Sequence, residues 1–86
     1  MTEETEKYLK EYESDFITAV WYSYTRQIPL SALKEIERIY TDAGNKPLNT
    51  NYSCSACVVK LMKQAGKMYF KEFPDRIPEN LRSRNI

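Results

Sequence analysis

The sequence predicts an all-α protein: a bundle of three helices over about residues 2–27, 32–43 and 51–73, with an extended or short-helical C-terminal arm over 74–86. Three observations predict it. Apolar side chains recur at three- and four-residue steps in each stretch, which gathers them into stripes on a helix. Pro29, Gly44 and Pro74 stand where the periodic stretches end. The 86 residues, 42% apolar and 29% charged, suffice for one hydrophobic core and are too few for two.

The first helix has Thr2 or Thr5 available as N-cap and a first turn rich in Glu, the sign favoured by the helix macrodipole. Leu9, Tyr12, Phe16, Ala19 and Val20 form one stripe; Ile17, Trp21, Tyr24 and Ile28 form a second, turned away from it around the same helix. Together they span more than one neighbouring helix would cover. The expectation is that this helix is central to the bundle or that Ile17, Trp21 and Tyr24 meet another chain, since Tyr and Trp bring large contact area and exposed apolar patches serve binding. Pro29 ends the helix by forcing the preceding residue out of the α region.

Ser31 is positioned to cap the second helix, whose Leu33, Ile36, Ile39, Tyr40 and Ala43 share one face. Gly44 supplies the left-handed residue at its end, and 45–49, with Pro47, is a loop. The third helix begins near Asn51 or Ser53 and carries the strongest stripe in the chain: Cys54, Cys57, Val58, Leu61, Met62, Ala65, Met68 and Tyr69. Gly66 inside it costs about 1 kcal/mol relative to alanine and signals another backbone close by. After Pro74 the chain reads as an arm that gains order by lying on something, with a short turn of helix from Pro78.

The net charge is +1, with acids crowded into the first 15 residues and bases into the last third. Such polarity orders subunits head to tail, steadies a helix pair, or offers a basic face to phosphate. Lys60, Lys63, Lys67 and Lys71 line one face of the third helix beside Phe70, and Arg82 and Arg84 lie in the arm. Phosphate contacts and base stacking use such a set, and nucleic-acid binding is the alternative function it suggests. Against it, the connection between the second and third helices is too long for a helix-turn-helix. No apolar run approaches the span of a bilayer and the N-terminus is acidic, so the expectation is a soluble intracellular protein.

Cys54-Ser55-Ala56-Cys57 at a helix start is the arrangement that lowers a thiol pKa, but the strand expected before a redox motif of that kind is missing. With two Cys and no His, a closed zinc site needs a second copy or carboxylates. The plain alternative takes both thiols as small apolar groups on the stripe, where a bond between them would be strained. Without His, a glycine-rich phosphate loop or a carboxylate pair in an apolar setting, neither catalysis nor a cofactor is expected.

The run LKEIERIYTDAGNKPLNTNYSCSACVVKLMKQAGKMYF, about half the chain, joins a short helix ending in Gly, a basic loop, an Asn just before Cys-x-x-Cys and an amphipathic helix. In this it resembles small proteins of tailed bacteriophages. That resemblance implies a protein made in a bacterial host cytoplasm and either built into the virion or acting on the host; it implies no catalytic residues. The function expected is a small non-enzymatic interaction or structural module that self-associates or docks on a larger assembly.

Overall fold

In the computed structural model, which describes residues 2–82, four α-helices follow one another: α1 (Glu3–Lys10), α2 (Glu13–Tyr22), α3 (Leu30–Asp42) and α4 (Ser55–Glu72). Two short 3-10 turns, Pro74–Arg76 and Glu79–Leu81, follow α4. The described residues are all-helical, with no strand among them.

The single first helix expected from the periodicity is thus two. Thr2 caps α1, its hydroxyl oxygen accepting the Thr5 N–H at 3.2 Å, ahead of Glu3, Glu4 and Glu6. The chain then tightens: the Glu11 and Tyr12 N–H groups donate to Tyr8 and Leu9 three residues back, at 3.2 and 2.9 Å. Tightening of this kind bends a helix without proline or glycine. The bend serves contacts far along the chain, for it leaves Leu9 fully buried and brings Glu6 within 2.9 Å of Arg76.

α2 ends at Ser23, in the left-handed region at φ 52°, with the Tyr24 N–H reaching back to the Thr18 carbonyl at 3.3 Å. That six-residue bond closes a helix end. Residues 24–29 leave the helix, and Tyr24 with them. This segment is held by Ile28, which is buried, and by Arg26, whose guanidinium donates to both oxygens of the buried Asp15 carboxylate at 2.8 and 3.1 Å. A buried carboxylate needs such a partner, and the two-pronged fit makes this pair directional.

α3 begins one residue before Ser31, with Pro29 at the cap and its carbonyl accepting from Ala32 and Leu33. It buries Ala32, Leu33, Ile36 and Ile39, while Arg38 pairs with Glu35 and Asp42 on the outward side. Gly44 follows at φ 97°, as a helix end of this kind requires.

The loop to α4 is tied to α3 through Glu37, whose carboxylate accepts the Thr50 N–H at 3.1 Å and the Tyr52 hydroxyl. Burial pushes the Glu37 carboxyl up, and the hydrogen bonds from Tyr52 and Thr50 together outweigh burial and hold it below its ordinary value. Burial first, then the bond to Glu37, pushes the Tyr52 phenol up to about 12 from 10.0. A folded-state pKa above the unfolded one stabilises fully below pH 10.0 and stops doing so as pH rises toward about 12. Glu37 acts in the opposite window, its contribution present above its ordinary 4.5 and lost as pH falls through the lowered value. Between about pH 10 and 12, the urea midpoint of the wild type should therefore fall more steeply than that of Tyr52→Phe.

α4 is the central element, packing against α2 on one side, α3 on another and the first 3-10 turn beyond its end. Its buried residues, Val58, Leu61, Met62, Ala65, Gly66, Tyr69 and Phe70, span roughly half the helix circumference at about 100° per residue. A helix with neighbours on two sides needs that arc. Centrality thus belongs to α4 and not to the first helix, whose wide apolar arc is shared out between the core and the surface. Rings join the seams: Phe16 lies 5.4 Å from Tyr69, and Trp21 meets Phe70 edge-on at 5.4 Å.

The chain after Pro74 lies on its own protein, at least to Arg82. Leu81 is buried, and Arg76 stacks over Phe73 at 4.4 Å while donating to Glu6 and to the Tyr69 hydroxyl at 2.9 Å each. Tyr69 in turn donates to Glu13 at 2.9 Å. The acidic beginning and the basic end are therefore clamped together within one chain at this network.

Candidate functional site

The second stripe of the first helix divides. Ile17 and Trp21 are partly buried against the core, whereas Tyr24, past the end of α2, is 61% exposed. Trp21 encloses its indole N–H without an acceptor among the described residues, a cost of about 1–3 kcal/mol that its packing on Phe70 must offset. Two further large apolar side chains stand in water nearby in the chain, Tyr22 at 57% and Leu30 at 51%.

Tyr24 is in the α2–α3 connection and the other two stand at its ends. Tyr22 and Tyr24 flank the left-handed Ser23, which turns the chain out of the helix, and Leu30 opens α3 behind Pro29. Leu30, the third of them, lines an open groove of roughly 820 Å³. One wall is the connection and the start of α3, with Ile28, Leu30 and Leu33; the other is the end of the following loop and the start of α4, with Tyr52, Val58 and Val59. The polar side chains on it are already engaged where they carry charge or a phenol: Arg26 with Asp15, Tyr52 with Glu37. A second groove of roughly 670 Å³ is walled in large part by charge, Arg38 and Asp42 facing Lys71 and Glu72.

Leu30 and Tyr22 escaped the sequence reading for a definable reason. Extending the first helix to residue 27 put Tyr22 on a polar face and left Leu30 without an element; a helix end at Ser23 has no glycine to announce it.

The basic set is partly spent on structure. Lys60 and Lys71 are exposed, Lys67 is partly covered, and Lys63 donates to the Ser23 hydroxyl at 3.3 Å. Phe70, the ring expected to stand beside them, is 1% exposed and packs on Trp21 and Tyr69. It offers no face for stacking. Arg82 donates to the carbonyls of Ile77 and Asp75 at 3.0 Å each, and Arg84 lies outside the described residues.

Cys54 and Cys57 are not core residues. α4 begins at Ser55, so Cys54 is its N-cap, and both thiols are partly exposed instead of joining the buried stripe. Among the described residues no group of three or more His, Cys, Asp or Glu side chains is gathered to hold a metal ion, and no helix is long and apolar enough to cross a membrane. A zinc site shared between copies through Cys54 and Cys57 would draw its other ligands from a second chain.

No protein-family model matches the chain, and no curated protein or solved structure matches it.

Proposed function

We propose that this chain is a small non-enzymatic interaction module that self-associates through the α2–α3 connection. In this reading α1 and α2 act as one bent member of a three-helix bundle, and the chain from Pro74 is its arm. The single observation that carries it is the exposure of Tyr22, Tyr24 and Leu30, each more than half exposed at the ends of the α2–α3 connection, with Leu30 on the wall of the open groove. Projecting side chains next to a groove are what a two-fold contact uses, because each copy then both inserts and receives. A net charge of +1 puts little repulsion in the way of a second copy. The resemblance to tailed-phage proteins supports a setting in the bacterial host cytoplasm or the virion, where a self-associating module of this size can serve an assembly.

Trp21 is the only tryptophan and lies next to Tyr22, so its emission reports on this surface. On dilution from high to low micromolar concentration the emission should shift or change in polarisation, and Tyr24→Ser with Leu30→Ser should remove that dependence while leaving the urea midpoint within about 0.5 kcal/mol, the usual effect of surface changes. Wild-type emission indifferent to concentration, together with binding to a host protein at the same residues, would move the contact to a heterologous partner. A low-salt mobility shift of DNA or RNA, abolished by salt and by Lys60→Glu with Lys71→Glu, would favour the nucleic-acid alternative.

A further inference from the structure

The start of α4 carries chemistry that the docking surface does not use. Cys54 has extended backbone, φ −102° and ψ 114°, and its own carbonyl accepts the first intrahelical bond from Val58 at 3.0 Å. Its sulfur takes the place of the usual capping oxygen, accepting the Cys57 N–H at 3.3 Å. The Cys57 thiol and the Ala56 N–H, on the same first turn, also act on it. These donors favour the thiolate, so Cys54 sits below the ordinary thiol pKa, the Cys57 thiol being the largest cause. Cys57 is shifted the other way, first by donating to Cys54 and then by burial, with Lys60 a turn further on acting against both. The sulfur that caps the helix, Cys54, is thus the favoured nucleophile of the two.

The objection that a bond between these two residues would be strained applies to two positions inside a helix. Here one of them stands outside it, on extended backbone, and the other is in the first turn. Both thiols reach solvent. Ser53 and Ser55, on either side of Cys54 in the chain, line the groove.

We infer that Cys54 and Cys57 are a reactive thiol pair that takes part in thiol–disulfide exchange with low-molecular-weight disulfides, Cys54 attacking and Cys57 resolving. The Cys54 thiolate attacks one sulfur of the disulfide; that S–S bond breaks, a mixed disulfide forms on Cys54, and the leaving thiolate takes a proton from water. Cys57 then loses its proton to water and attacks the Cys54 sulfur, forming the Cys54–Cys57 bond and expelling the second thiolate. Two protein thiols are oxidised and one disulfide is reduced to two thiols, so electrons and protons balance. This inference stands apart from the self-association proposed above and survives its failure.

The test uses the full chain, purified reduced and free of metal, with oxidised glutathione as probe. In the wild type, both free thiols should disappear together with no adduct retained, whereas Cys57→Ser should accumulate one glutathione on Cys54. Trapping with iodoacetamide at neutral pH and peptide mapping should show Cys54 reacting about tenfold faster than Cys57, a preference that vanishes in denaturant. The wild-type mapping needs no variant, so a variant that fails to fold leaves the test intact. Equal labelling of the two cysteines in the folded protein, a preference that persists in denaturant, or a wild-type adduct on Cys54 that never resolves would overturn the inference.

Discussion

Replacing Gly66 with leucine should cost more than about 3 kcal/mol and leave no cooperative urea transition, the upper range of overpacking and a large share of the stability of a domain this size. A Cβ at this position would lie 2.8 Å from Val20 Cγ2, 3.0 Å from Phe16 Cβ and 3.4 Å from Phe16 Cα. The valine methyl can turn aside. The phenylalanine atoms are tied to the α2 backbone and cannot, so α2 must back away from α4. Phe16, Ala19 and Val20 are lodged in this seam, and opening it exposes side chains worth about 1.5–3 kcal/mol each for the larger two.

Alanine at the same place separates two opposed effects. Intrinsic helix preference gains about 1 kcal/mol, and strain costs about 1–3, so Gly66→Ala should lower stability by about 1 kcal/mol. Val20→Ala removes the closest atom, and in that background the alanine penalty should shrink, a coupling between neighbours that a double-mutant cycle reads directly. A Gly66→Ala variant more stable than the wild type would contradict the close approach.

The second large effect is expected at Phe16. Its side chain is fully buried, and its ring lies 5.4 Å from that of Tyr69 at the centre of the α2–α4 seam. Phe16→Ala leaves a cavity that neighbouring helices cannot close without moving, for an expected loss of about 3–5 kcal/mol. In a domain of this length that lowers the melting temperature by roughly 15 °C or more, which calorimetry would show. A loss below about 1 kcal/mol would mean the seam collapses or is not the core.

How much of this was legible in the sequence depended on whether a residue announced its own conformation. Gly44 did, and α3 ends where a left-handed glycine ends a helix. The stripe of α4 did in outline, although packing on two sides widened the buried arc to include Phe70, which a one-neighbour reading placed beside the lysines. The bend at Glu11 and Tyr12 did not, since residues 2–28 contain neither glycine nor proline and the bend goes with the burial of Leu9 and the pairing of Glu6 with Arg76, far away in sequence. The same holds for Ser23, an ordinary residue in a left-handed conformation.

The candidate surface inherits these gains and losses. Tyr24 was visible as a member of the second stripe of an overfull helix, yet its exposure comes from leaving the helix and not from the angle of that stripe. Ile17 and Trp21 followed the stripe and lie partly covered. Cys54 followed the period as well, but the helix starts one residue later, and that single position turns an expected core thiol into a cap. Gly66 carried the one long-range signal that sequence alone supplied: a glycine that costs a helix stability marks a neighbour too close for a side chain.

Sedimentation equilibrium of the reduced, metal-free protein tests self-association most directly. The expected result is a concentration-dependent mass rising toward twice the 10.2 kDa of one chain, returned to that of one chain by Tyr24→Ser with Leu30→Ser. A mass that stays at 10.2 kDa across the whole range for the wild type would contradict it.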